Sequence, residues 1–94
     1  MDDEKQITDM YLAAALVSYG ANLLRIDKSD RKHQRFIFEN STIGSIWIDE
    51  TSLHVRVVNS TLQGVETYFI AKKLVFPPNY PDTIRSIKSA IHSV

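Results

Sequence analysis

Eight consecutive apolar residues, Met10 to Val17, with a glycine at position 20, leave the opening of this chain few conformational options. The run is far short of the roughly 20 residues that cross a bilayer. Before it stands Met1-Asp2-Asp3-Glu4, acidic where an export leader is positively charged. The run is therefore expected to be a helix of a folded domain, not a membrane segment. Thr8 is its expected N-cap, with Asp9 in the first turn, where the helix dipole favours an anion. Ile7 and Leu12 have the spacing of a hydrophobic staple, and Gly20 suits the left-handed residue that ends a helix. Tyr11, Leu12, Ala15, Leu16 and Tyr19 then share one broad face that can cover a sheet. Ala13 and Ala14 allow close backbone approach or a second contact surface.

Downstream the periodicity changes. Residues 22–27 (NLLRID) and 34–39 (QRFIFE) flank the polar turn KSDRKH and read as a β-hairpin. Phe36 and Phe38 point one way and Arg35 and Ile37 the other, so at least one face is expected to be buried. Residues 43–49 and 52–58 read as a second hairpin, because Leu53, Val55 and Val57 alternate with His54 and Arg56. Together the hairpins predict a four-stranded antiparallel meander. A competing reading makes 50–71 one long helix, since Leu53, Val57, Thr61, Val65 and Phe69 recur every four residues; the density of Val and Thr favours strands. The stretch STLQGVETYFIAKK fits a short helix with Ser60 and Gln63 at capping-box spacing and Leu62, Val65, Phe69 and Tyr68 on its apolar side. Three prolines within residues 77–81 hold LVFPPNYP extended. A last helix is expected over about 80–93, with Asn79 and Asp82 as capping residues and Pro81 in its first turn. Ile84, Ile87, Ile91 and Val94 form its buried stripe. The chain therefore reads as one α+β domain spanning 1–94.

The stretch TDMYLAAALVSYGANLLRIDKSD, with RFIFEN at 35–40, resembles the start of a family of small domains of unknown function from phages and mobile elements. That family opens with a T-x-D-x-Y-L-A-A-like helix and continues through a glycine, a strand, a charged turn and an F-x-F strand. Tyr68-Phe69, Leu74-Val75 and Arg85-Ser86-Ile87-Lys88 resemble its ending, an aromatic pair, an extended stretch and a helix with R-x-x-K. The resemblance covers roughly 8–40 and 62–91, and makes 41–61 an inserted hairpin. It implies a mobile-element origin and a shape. It implies no activity, cofactor or catalytic residue.

Composition narrows the function classes. Lys plus Arg equal Asp plus Glu at eleven each, unlike a uniformly basic nucleic-acid binder. With no cysteine there is no disulfide framework, thiol nucleophile or thiolate metal site, which suits a reducing cytoplasm. His33, His54 and His92 lack ligand spacing, so no metal is expected. Three glycines, at 20, 44 and 64, write no phosphate-binding fingerprint, and the chain reads as a non-enzyme without cofactor.

The distribution of charge is less even than its sum. Residues 25–35 hold five Arg or Lys against two Asp. Lys28, Arg31 and Lys32 at the hairpin tip, Lys72 and Lys73 before the prolines, and Arg85, Lys88 and His92 at i, i+3, i+7 on the last helix are candidates for an anion or nucleic-acid patch. Such a patch contacts phosphates without reading sequence. Trp47, Tyr68 and Tyr80 are candidates for base stacking or for contact with a partner. The plainer reading is a solvated turn and the outer face of an amphipathic helix. Two further functions stay open: a protein-interaction or self-assembling module, such as an inhibitor of a host enzyme or defence complex, and a pocket for a small anion or nucleotide.

Overall fold

In the computed structural model, which describes residues 3–30 and 32–92, the apolar run forms helix α1, Met10–Ser18. Its cap is Asp9, not Thr8: Asp9 Oδ1 accepts from the N–H groups of Tyr11 at 2.8 Å and Leu12 at 3.3 Å. Thr8 is displaced because Glu4–Ile7 is already a strand, β1, and Thr8 belongs to the two-residue link. The Ile7–Leu12 staple is displaced with it, although both side chains enter the core. At the other end Gly20 lies at φ 97°, and the N–H groups of Gly20 and Ala21 reach the carbonyls of Val17 and Leu16, each at 2.9 Å. This 5→2 and 6→1 pair is a Schellman stop, which a residue with a β-carbon enters at a cost. Leu12 through Leu16 are all buried, because β1, a second helix and the last helix all pack on α1. Ala13 and Ala14 do serve a second contact surface, while Tyr11 of the expected face is exposed.

The first expected hairpin is present as β2, Leu23–Asp27, and β3, Arg35–Glu39. Strand β1 adds to its far side, giving an antiparallel sheet of order β1-β3-β2. Central β3 is buried on both faces: Phe36 and Phe38 join the main core, and Ile37 lies on the other side of the pleat. On the rim, Arg25 of β2 makes two hydrogen bonds to the Glu4 carboxylate of β1, at 2.9 and 3.0 Å.

The second hairpin is β4, Thr42–Glu50, paired with β5, Leu53–Thr61. The long helix weighed over 50–71 is therefore excluded, and the meander is corrected to two separate sheets. Residues 73–75 lie along the other edge of β4: Asp49 N–H donates to the Lys73 carbonyl at 2.6 Å and Val75 N–H to that of Trp47 at 2.9 Å. The β4–β5 turn is Thr51-Ser52, both at positive φ, 52° and 69°. A two-residue hairpin turn needs that geometry, and Asn-Gly adopts it far more readily than a β-branched Thr. The double substitution Thr51→Asn, Ser52→Gly is expected to stabilise the fold by about 1 kcal/mol. An unchanged or lower urea midpoint would contradict it.

Helix α2, Leu62–Ile70, follows β5 directly. Its cap is Thr61, whose hydroxyl accepts from Gly64 N–H at 2.9 Å, not Ser60. Ser60 still belongs to β5, opposite Ile43, and its buried hydroxyl finds no partner among the described residues. Helix α3, Tyr80–His92, lies on α1 with Ile87 buried and Ile84 and Ile91 partly so; Val94 of the expected stripe lies outside the described residues. At its start the Asn79 carbonyl accepts from both the N–H and the hydroxyl of Thr83. None of the helices among the described residues is long and apolar enough to cross a membrane.

Candidate interaction surface

The basic residues separate into two groups. Lys28 Nζ donates to the Ala90 carbonyl at 2.5 Å, which seats it at the carboxyl end of α3 near Lys88 and His92. A cation there is placed to meet the last carbonyls and the negative end of the helix dipole. Lys72 and Lys73 follow α2, where Phe69 meets Phe76 and Phe76 stacks on Tyr80, the first residue of α3. The ten residues from Tyr80 to Ala90 rise roughly 15 Å, so the two groups sit near opposite ends of that helix. Each cationic stretch also carries acids. Lys73 pairs with Glu50 at 3.5 Å, and Arg85 pairs with Asp82 at 3.6 Å on an exposed part of the helix. Lys32 is exposed in a turn where its N–H donates to Asp30, and Arg31 lies outside the described residues. Among the described residues no three His, Cys, Asp or Glu side chains are gathered as metal ligands.

The surface that does assemble is aromatic, and the β4–β5 ribbon builds it. Trp47 lies opposite Arg56, Ser45 opposite Val58 and Asp49 opposite His54. Strand alternation therefore places Trp47, Val58, Arg56 and His54 on one face. Trp47 and Val58 are 44% and 54% exposed, unusual for large apolar groups side by side. His54 Nε2 lies 3.4 Å from Asp49 Oδ1 at the end of this face. Beside it the prolines hold Phe76 outward at 45% exposure. Phe76 stacks on Tyr80 with ring centres 4.3 Å apart and meets Phe69 edge-on at 6.2 Å. Between ribbon and prolines runs an open groove of about 470 Å³, bounded by Trp47, Tyr19, Phe76, Pro77 and Pro78.

Tyr19 ties the groove floor together. Trp47 N–H donates to its hydroxyl at 3.2 Å, and that hydroxyl donates to the Val75 carbonyl. The side chain thus replaces one direct bond between β4 and residues 73–75. Partial burial raises its pKa, opposed in part by the Trp47 backbone contact. Of the other aromatic candidates, Tyr68 is partly buried against the core, and Tyr80 is held by Phe76 and by donation to the Tyr11 carbonyl at 3.1 Å. A second groove, about 330 Å³ between β2 and α3, is lined by Leu23, Ile26, Ser86 and Asp82 and lacks cationic clamps.

No family model, curated protein or solved structure matches the chain.

Proposed function

We propose that this protein is a non-enzymatic interaction module whose contact surface is the outer face of the β4–β5 ribbon together with Phe76-Pro77-Pro78. The observation that carries it is the pair of exposed aromatics Trp47 and Phe76 on an open groove that His54 also lines, with Val58 and Arg56 beside Trp47 on the ribbon face. Large aromatics at the centre with arginine at the rim is the composition of a protein-binding hot spot. A net charge of zero does not oppose association. The resemblance to phage and mobile-element domains suits a partner among host proteins. The nucleic-acid reading keeps one support, Arg56 opposite the exposed Trp47, an arrangement able to stack a base. The separation of Lys28 and Lys88 from Lys72 and Lys73 weakens it.

Paired baits test the reading. Wild-type protein and the variants Trp47→Ser and Phe76→Ser are used for quantitative capture from host extract. Proteins bound through this face are expected to drop roughly tenfold with either variant, as for a hot-spot residue. Equal recovery on all three baits would refute the proposal. Trp47 is the sole tryptophan of the chain, so binding of a purified partner also shows in its emission. Anisotropy with single- and double-stranded DNA and RNA over a salt series decides the alternative, since phosphate binding weakens steeply with salt.

A further inference from the structure

The ribbon has an edge as well as a face. Among the described residues β5 pairs only with β4, and almost all of its side chains from Leu53 to Asn59 are exposed. Which backbone groups this edge offers follows from the other side of β4. Trp47 and Asp49 turn their hydrogen-bonding groups toward residues 73–75. Within an antiparallel ladder such residues form the non-hydrogen-bonded pairs with the other neighbour, and the opposed residues likewise point outward. Their partners are Arg56 and His54, and Ser45 by the same parity gives Val58. The free edge therefore presents the N–H and C=O of His54, Arg56 and Val58, in the order needed to receive another strand. Natural proteins block such edges with lysine, proline or a covering loop. Here the stretch Leu53 to Val58 holds neither lysine nor proline.

Resting on the interaction-module reading, we propose that this edge receives β5 of a second copy of the chain, antiparallel about a two-fold axis at Val55. His54 then lies opposite Arg56 of the other copy, and the outward groups of both make about four hydrogen bonds. On one face the row reads Ile48, Val55, Val55, Ile48 across the four strands, and Leu53 joins Val57; Leu53 is 68% exposed in the monomer. On the other face each row reads Asp49, His54, Arg56, Trp47, one acid and one permanent base. Charge is thereby balanced within the row. Shifting the axis to Arg56 would set two guanidinium groups directly opposite, which is unfavourable. The axis at Val55 leaves the Trp47 groove open on both outer strands. Pairing of this length belongs with small interfaces, under about 1,200 Å², so the dimer is weak and concentration-dependent.

Sedimentation of the full chain from about 10 µM to about 1 mM is expected to show monomer giving way to dimer. Arg56→Pro is expected to abolish the dimer while the monomer stays folded, because the lost N–H faces away from β4, the one strand that β5 pairs with among the described residues. Trp47 emission and the melting curve verify its fold. Cross-linking gives a second reading that does not depend on that variant. The chain has no cysteine, so Val55→Cys is the lone thiol of its variant. At a non-hydrogen-bonded pair the two α-carbons lie about 4.5 Å apart, within disulfide range. Under mild oxidation Val55→Cys is expected to form dimer roughly tenfold faster than Ile70→Cys, a more exposed thiol away from the edge. Wild type that stays monomeric throughout, equal cross-linking of the two thiols, or a dimer surviving Arg56→Pro in the folded chain would each overturn the inference. The dimer is read by hydrodynamics and the Trp47 face by capture, so either can fail while the other stands.

Discussion

Phe38→Ala is expected to cost about 3–5 kcal/mol, the largest loss among the truncations compared below. Phe38 is fully buried in the central strand of the β1-β3-β2 sheet, between Lys5 on one side and Leu23 on the other. Its ring belongs to the same core cluster as Leu12 and Leu16 of α1. The neighbours that would collapse into the space are constrained, since β1 and β2 hold β3 in register and Leu12 through Leu16 of α1 are all buried. A chain of 94 residues has roughly 5–14 kcal/mol of stability in total, so the loss takes about a fifth of it at the least. The melting temperature should fall by about 12–40 °C, at about 4–8 °C per kcal/mol for a domain of this size. Val58→Ala on the exposed ribbon removes an apolar side chain with little buried area and should cost less than about 1 kcal/mol. Urea unfolding of both variants checks the contrast. A Phe38→Ala loss no greater than that of Val58→Ala would mean the first sheet is not the packed centre of the molecule.

The same contrast explains which parts of the architecture could be read from sequence. Phe36 and Phe38, Ile84 and Ile87, and Leu62 and Val65 show their period locally, and their elements were legible. Strand β1 was not: Glu-Lys-Gln-Ile has one buried residue, and it is a strand because β3 offers it an edge. Its presence moved the helix cap from Thr8 to Asp9, two neighbouring residues with nearly equal local claims. Ser60 lost to Thr61 at the next helix because α2 begins at Leu62, one residue later than the capping-box spacing implies, although Thr61 too still pairs in β5, with Thr42. At the interaction surface Trp47 was legible as an exposed aromatic among strand residues. Phe76 was not, because its exposure depends on where the prolines carry it. The split of the basic residues was partly legible, since Asp82 stands one helical turn before Arg85. Lys28 at the Ala90 carbonyl, 62 positions away, leaves no local trace. The free edge of β5 has a signal in the sequence: the strand that opens with Leu53-His54-Val55-Arg56-Val57 is followed by a helix, α2, and not by a further strand able to pair with it.

Tyr19→Phe is the second large effect expected, and it separates the hydroxyl from the ring. The substitution keeps the apolar packing of Tyr19 and removes the atom that links Trp47 N–H to the Val75 carbonyl. Both backbone groups then face a carbon edge. Leaving buried or half-buried polar groups without partners costs about 1–3 kcal/mol, more than the hydrogen bonds themselves contribute. The loss should be local as well as global: residues 73–75 loosen from β4, the groove floor opens, and the emission of Trp47 changes even where the domain remains folded. Alkaline pH gives an independent reading. Burial holds the Tyr19 hydroxyl protonated above its ordinary value of 10. The unfolded chain ionises first, so the stability this hydroxyl contributes is complete below pH 10 and is lost as pH rises through the folded value. Tyr80, raised mainly by burial and further by Asp9 and Tyr11, weakens in the same direction and is present in both proteins. The wild type should therefore lose stability above pH 10 faster than Tyr19→Phe, and the gap between them should narrow there. Chemical denaturation of both proteins at neutral pH and at about pH 11 measures it. A gap that stays constant across that range would show that the Tyr19 hydroxyl is not the buried bridge between β4 and the proline segment.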